Sequence, residues 1–211
     1  MAWYISLAYR WHNEFGENPE FRKYCDELEI PWDHVRIPFA SRHSTLFAFA
    51  RIEKKFFPHR NLRESALAVM DYLKRENLDS LVADLQGFTL RPSEVRVYDH
   101  DTTVQFDADP KRVCQMREII SERFTNLDFE YKSPDVQLPM NGGTKNSGPL
   151  VWGSVARNPL RTGKNDLRQT WDVEEEFASE LSVTEAILTV SDDGLTNKLL
   201  DGDFIKVCLE R

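Results

Sequence analysis

The spacing of apolar positions in the first quarter of the chain predicts a strand, a helix and a second strand. Residues 3–8 (WYISLA) are mostly bulky and apolar, a composition typical of a strand. Asn18 followed by Pro19 is typical of a helix start, and apolar residues recur at helical spacing as far as residue 28. Residues 44–52 (STLFAFARI) are apolar at successive positions, as in a strand covered on both faces. This last stretch is therefore predicted to be central in a sheet.

Two further helices and several short strands follow in the sequence. Asn61 with Glu64 three residues later resembles a capping box, and Asp109 followed by Pro110 predicts another helix start. Residues 132–149 are rich in turn formers, and a loop of that length inside a domain predicts a functional lid. The remaining predicted extended segments are residues 35–39, 88–90, 95–98, 103–106, 150–156, 185–190 and 204–209.

Composition limits the class of protein. The chain has 211 residues, 41% of them hydrophobic, which allows one domain or two small lobes that share a core. No apolar run approaches the ~20 residues of a membrane span, and Arg10 and His12 come too early for a secretory signal, so we expect a cytoplasmic protein that does not bind membranes. The three cysteines, Cys25, Cys114 and Cys208, are far apart and lack a C-x-x-C pair. We therefore expect them in the core, with no disulfide, metal site or cofactor.

Charge is distributed unevenly along the chain. The net charge of −8 argues against prolonged contact with a long nucleic-acid duplex. Residues 34–60 nevertheless contain six Lys or Arg and one acid, and residues 141–170 contain five Lys or Arg and one acid. If these two windows face each other they form one anion pocket, and if they do not they are two separate basic surface loops.

The first basic window contains His43, Ser44 and Thr45 at the start of the predicted central strand. Side chains alternate along a strand, so His43 and Thr45 project from one face about 7 Å apart. An imidazole can transfer a proton near neutral pH and a hydroxyl can donate a hydrogen bond, so one phosphate could contact both. The string is short, and a hydrogen-bonded core histidine is the alternative interpretation.

The second basic window contains Trp152, Gly153, Ser154 and Arg157 in a similar short strand. Together, the order of elements, HSTL in its strand and WGSVAR resemble the two-histidine (2H) phosphoesterase superfamily, the group of LigT-like RNA ligases and cyclic phosphodiesterases. Members carry H-x-[ST]-[LV]-x-R in the second motif. This chain matches it at Ser154 and Arg157, but Trp152 stands where the second histidine belongs. The resemblance implies a single bilobal α+β domain over residues 1–211, with two antiparallel sheets around a central cleft and helices outside.

The resemblance also implies the roles of the motif residues. In the family one histidine is the general base, the other is the general acid, and the two hydroxyl residues hold the phosphate. This predicts a metal-independent phosphodiesterase for a small nucleotide: a cyclic nucleotide, a 2′,3′-cyclic phosphate end or a 2′-5′ linkage. In it His43 transfers the proton, Thr45 and Ser154 hold the phosphate, and Arg42 and Arg157 offset its charge.

The substitution at Trp152 leaves a second function open. Indole has no proton to exchange at pH 7, but it is a good platform for a stacked base. The chain is then a catalytically disabled protein that binds a nucleotide or an RNA end; a third, weaker possibility is a structural protein that kept only the fold. We expect His43, Thr45, Trp152 and Ser154 to line one cleft. The other histidines are expected to be exposed on the surface, although one could replace the missing acid: His12, His34, His59 and His100.

Overall fold

The computed structural model describes most of the chain. The described residues are 2–11, 19–53, 62–75, 78–125, 136–137, 148–160, 164–178, 180–192 and 199–208. The helices are α1 (Pro19–Glu27), α2 (Leu62–Arg75), α3 (Leu78–Val82) and α4 (Pro110–Thr125), with short 3-10 turns at Phe39–Ser41 and Glu175–Phe177. The strands are β1 (Ala2–Arg10), β2 (Val35–Arg36), β3 (His43–Glu53), β4 (Phe88–Tyr98), β5 (Asp101–Ala108), β6 (Val136–Gln137), β7 (Val151–Arg157), β8 (Leu167–Asp172), β9 (Leu181–Val183), β10 (Glu185–Asp192) and β11 (Leu199–Cys208).

Most predicted elements are confirmed. The opening strand is β1, the apolar central strand is β3, and helices begin at Pro19 and Pro110. Asp109 caps α4, because its carboxylate accepts the backbone N–H of Lys111 at 2.9 Å. The capping box at Asn61 and nearly all of the lid predicted at residues 132–149 lie outside the described residues.

Three predicted elements differ. The short pieces predicted between residues 88 and 98 form one strand, β4, because a bulge beside Pro92 lets the proline remain in the sheet. The segment predicted to extend over residues 35–39 forms only the two-residue β2, and a 3-10 turn begins at Phe39. The polar stretch before residue 172 contains β8, whose side chains are almost all exposed. No apolar pattern marks such an edge strand.

The strands form an α+β fold around one antiparallel sheet. Its order is β11-β10-β1-β3-β7-β5-β4-β8, while β6 pairs with β3, β2 with β7 and β9 with β4. The two groups of strands expected as separate sheets are joined where Ser44 of β3 pairs with Gly153 of β7. The α+β class is confirmed, and the β3–β7 junction links the two halves.

The two faces of the sheet differ in chemistry near this junction. Residues directly opposite each other in an antiparallel pair share a face. One row across the strands therefore runs through Tyr9, Ser44, Gly153, Val104 and Val95. This is the core face, where apolar residues of the sheet and of α1, α2 and α4 form one buried cluster.

The opposite face, here called the polar face, carries the neighbours of that row in each strand. It holds His43, Thr45, Trp152, Ser154, Thr103, Gln105, Glu94 and Arg96. Ala8 and Ile187 are paired in register and form a small apolar cluster separate from the main core. Near the junction, apolar side chains are therefore buried mainly on the core face, and polar side chains occupy the polar face.

The expectation of core cysteines is confirmed at Cys25 but not at Cys114. Cys25 is buried in the core cluster, and burial raises the pKa of its thiol to about 12, while Cys114 is half-buried. An unreactive core thiol is the physical consequence of that raised pKa. In the part of the chain that the structure describes, no helix is both long and apolar enough to cross a membrane.

Candidate functional site

The two motif strands approach each other closely because Gly153 has no side chain. A Cβ atom at this position would lie 2.4 Å from Trp11 Cζ2 and 2.5 Å from the backbone oxygen of His43. The Trp11 ring packs against Phe21 and Phe106 and donates its Nε1–H to Ser44 Oγ at 2.9 Å. Trp11 therefore ties the first motif to the core from beneath the junction.

The pairing of Ser44 with Gly153 decides which motif side chains meet. In an antiparallel pair, the flanking residues lie opposite each other on the other face, so His43 is beside Ser154 and Thr45 is beside Trp152. Neighbouring strands are about 4.8 Å apart, which is close enough for one phosphate to reach both. This pairing thus brings together four of the six predicted residues, and a fifth, Arg157, joins them through a bulge in β7. Thr45 and Trp152 are half-buried, and His43 and Ser154 are buried.

His43 is held in a defined orientation. Its Nδ1 lies 3.0 Å from the backbone oxygen of Ser41. A carbonyl oxygen only accepts hydrogen bonds, so Nδ1 carries the proton of the neutral ring and donates it to Ser41. Nε2 is then the ring nitrogen that can accept a proton, as a general base requires.

Ser154 and Arg157 share the polar face because β7 contains a bulge. Ser154 pairs with Thr103 and Ala156 with Thr102, so Val155 is the extra residue. Arg157 forms an ion pair with Asp101, Nε to Oδ1 2.9 Å, and its Nη2 donates to Ser154 Oγ at 3.5 Å. Arg157 is thereby placed next to the hydroxyl that is predicted to hold the phosphate.

Arg42 is not brought to this group. Its buried guanidinium donates from Nη2 to Asp26 of α1 at 2.8 Å and from Nε to the oxygen of Ile37 at 3.0 Å, and it lies over the ring of Phe39. Those partners belong to α1 and to the segment between β2 and β3, not to β7. The cation in register with His43 is instead Arg10 of β1, and this depends on how β1 pairs with β3.

The basic windows do not form a free anion pocket among the described residues. Arg36 donates to the oxygens of Cys25 and Leu28, near the end of α1. Arg168 bridges Asp33 and Asp99, and its hydrogen bonds lower the pKa of both carboxyls. Arg36 and Arg168 are therefore hydrogen-bonded to groups of the protein itself. Arg51 of β3 and the exposed Lys164 are also described, whereas Lys54, Lys55, Arg60, Lys145 and Arg161 lie outside the described residues.

Sequence reasoning also missed two structural contributors to the site. Buried Arg117 of α4 donates to the backbone oxygens of Leu46, Gly148 and Leu150, and so links β3 to the segment entering β7. Burial lowers its pKa to about 10, so it stays charged at neutral pH. Gln105 of β5 is buried on the polar face opposite Trp152. Helical spacing places Arg117 on the apolar face of α4 between Val113 and Ile120, and alternation along β5 would have indicated Gln105.

His34 does not replace the second histidine of the family motif, which is Trp152 in this chain. The expectation of an exposed residue is wrong there, because His34 is buried and its Nδ1 lies 2.9 Å from Thr102 Oγ1. Burial lowers the pKa of this imidazole. Thr102 belongs to the core face, so His34 is on the other side of the sheet from Ser154. His100 is half-buried in the β4–β5 turn, and His12 and His59 lie outside the described residues.

A cavity of about 450 Å³ lies away from the motifs. Its lining includes Tyr24 of α1 and Trp171 of β8. Trp171 pairs with Val95 on the core-face side, so this cavity is on the opposite side of the sheet from His43. It does not belong to the candidate site.

Comparisons with known proteins were informative only at the level of structure. No protein-family model matches the chain, and no curated protein matches its sequence. The chain is similar to E. coli LigT complexed with 3′-AMP, with a TM-score of 0.55 and 11% identity over 100% of both chains. It is similar to E. coli LigT complexed with NADP+ with a TM-score of 0.51 and 13% identity, again over 100% of both chains. The chain therefore has a LigT-like fold.

Proposed function

We propose that this chain is a metal-independent phosphodiesterase that acts on a small nucleotide, such as a cyclic nucleotide, a 2′,3′-cyclic phosphate end or a 2′-5′ linkage. The observation that carries the proposal is the arrangement at the β3–β7 junction: an oriented His43 beside Ser154, with Thr45 on the same face. The nucleotides bound to the two LigT structures support a ligand of this class.

In the proposed reaction His43 acts on the attacking oxygen. Nε2 takes a proton from water or from a ribose hydroxyl, that oxygen bonds to phosphorus, and the bond to the leaving oxygen breaks. Thr45 and Ser154 donate hydrogen bonds to the non-bridging oxygens, and Arg157 and Arg10 offset their charge. Attacking and leaving oxygens lie in line on opposite sides of phosphorus, so His43 serves only one of them.

Trp152 cannot protonate the leaving oxygen on the other side. That oxygen must take its proton from solvent, and losing a positioned acid costs roughly a hundredfold to ten-thousandfold in rate. Turnover should therefore depend steeply on the leaving group. An ester with a good leaving group, such as bis(p-nitrophenyl) phosphate, should react much faster than 2′,3′-cyclic AMP.

One observation favours a second function. Trp152 lies beside Thr45 on the polar face and is half-buried, which suits an indole that stacks a base at the mouth of a site. In that case the chain captures a nucleotide or RNA end without turning it over.

The two functions are separated by three variants assayed with both esters in the presence of EDTA. For the enzyme, we expect wild-type hydrolysis that His43→Ala lowers by roughly a hundredfold or more, with affinity changed only several-fold. For the binder, we expect no wild-type hydrolysis, and Trp152→Ala should weaken binding by about 1–3 kcal/mol. Trp152→His restores the second proton-transfer group and should speed cleavage of the cyclic ester more than that of the activated one.

The contrary results are equally specific. A requirement for added divalent metal would contradict the mechanism. Hydrolysis that survives His43→Ala but is abolished by His100→Gln or His12→Gln would assign the chemistry to a histidine outside the motif.

A further inference from the structure

Gln105 is a buried amide on the polar face that neither motif includes. It pairs with Trp152 across β5 and β7, while Thr103, two residues earlier, pairs with Ser154. Side chains of opposed residues in an antiparallel pair have Cβ atoms about 5 Å apart. Gln105 thus stands next to the proposed stacking platform and on the far side of it from Thr45.

A hydrogen-bond chain fixes the orientation of this amide. The Thr103 hydroxyl lies 3.5 Å from the backbone oxygen of Arg96, to which it donates, and 3.1 Å from Gln105 Nε2. With its proton directed to Arg96, the hydroxyl oxygen accepts from Gln105, so the nitrogen of the amide must face Thr103. One N–H is used in this way. The second N–H and the carbonyl oxygen are left as one donor and one acceptor.

Charge on the polar face separates the places for phosphate and base. On β4, the strand next to Gln105, Arg96 is paired with Glu94 at 2.7 Å, and the pair lowers the pKa of Glu94. This side therefore offers no net positive charge among the described residues, and Gln105 itself is neutral. A phosphate is better placed beside His43, Arg10 and the hydroxyl of Ser154, so the uncharged base of the ligand is left to contact Gln105.

We propose that Gln105 reads the edge of the base stacked on Trp152 and that it selects adenine over guanine. The inference rests on the proposed nucleotide function. A glutamine amide with one donor and one acceptor matches adenine N7 and N6, whereas the corresponding guanine edge presents two acceptors, N7 and O6. The ligand class is thus narrowed to adenine nucleotides.

The test measures affinity for 3′-AMP, 3′-GMP and ribose 3-phosphate, which has no base. We expect wild type to prefer 3′-AMP over 3′-GMP by roughly tenfold or more. Gln105→Leu should weaken 3′-AMP binding by roughly tenfold to a hundredfold and leave ribose 3-phosphate unchanged. Gln169→Leu is the matched control, because Gln169 is an exposed amide of β8 and should alter none of the affinities.

A second variant guards against misfolding. Gln105→Asn keeps an amide at this position, but its side chain is one methylene shorter and the amide no longer reaches the base. This variant should also abolish the preference for 3′-AMP over 3′-GMP. The inference is overturned if either folded variant retains the wild-type ranking while Trp152→Ala weakens both nucleotides. If wild type binds none of the three ligands, the proposed function fails and this inference fails with it.

Discussion

Gly153 shows how a single missing atom shapes the site. Its backbone lies against the Trp11 ring and the oxygen of His43, so the two motif strands can pair without a side chain between them. The same contact leaves the indole free to donate to Ser44. Packing on the core face thereby sets the distance between His43 and Ser154 on the other face.

Replacement of Gly153 by alanine should separate these strands. The added Cβ would meet a buried ring and a backbone oxygen at about 2.5 Å, and neither can move as the end of a flexible side chain can. We expect the free energy of unfolding to fall by about 3 kcal/mol, the upper part of the range for overpacked sites. Urea denaturation measures it, with Ser182→Ala at an exposed position of β9 as control. A denaturation midpoint equal to that of the control would show that the junction has room to spare.

At the residue scale, the motif residues were predicted from the sequence more accurately than the arginines that would bind a phosphate. His43, Thr45, Trp152 and Ser154 were found from alternation and motif, and the structure brings these four together. Arg42 is predicted to offset the charge of the phosphate, yet Asp26 and Ile37 bind its guanidinium. Counting charges in a window gives no information about which cations the fold itself uses. The catalytic roles of His43, Thr45 and Ser154 stay predictions until the variants are assayed.

Elements with strong periodicity were predictable, and those shaped by irregular pairing were not. β3 is apolar on successive residues and α1 has a proline at its first position, so each carries its own signal. The bulge at Val155, which puts Arg157 on the same face as Ser154, depends on the register with β5. Register is a long-range property, and no local pattern in β7 encodes it.

The contribution of α4 can be tested through Arg117. Its guanidinium binds three backbone oxygens that belong to β3 and to the segment before β7. Arg117→Met would leave the buried oxygen of Leu46 unpaired and remove two part-buried hydrogen bonds to Gly148 and Leu150, at a cost of about 1–3 kcal/mol for each group that water cannot reach. We expect a loss of about 3 kcal/mol in the free energy of unfolding, measured by urea denaturation.

Arg112→Met is the matched control for this element. Arg112 lies on the same helix but is half exposed, so its loss should change stability by less than about 0.5 kcal/mol. Arg117→Lys keeps the charge but not the fork of donors, and it should fall between the two. Equal midpoints for Arg117→Met and Arg112→Met would mean that α4 does not hold the strands through this residue.

At the scale of the whole molecule, a net charge of −8 accompanies a small polar site. The sequence predicted the α+β class through its resemblance to the 2H fold, but not that Ser44 and Gly153 join the strands into one sheet. Strand order across this junction depends on contacts between residues more than a hundred positions apart. The net charge is −8, and three of the arginines are bound to groups of the protein itself: Arg36, Arg42 and Arg168.

This charge distribution predicts how binding should respond to salt. Each neutralised phosphate of a single strand contributes about −0.7 to the slope of log affinity against log salt concentration. A site that engages one terminal phosphate should therefore give a slope of about −1 or shallower, for 3′-AMP and for a 20-nucleotide RNA with a 3′-phosphate alike. Fluorescence titrations between 50 and 300 mM KCl, roughly the range in which such slopes are resolved, measure both ligands. A slope steeper than about −3 for the RNA alone would reveal a phosphate track beyond the site and contradict recognition of an RNA end.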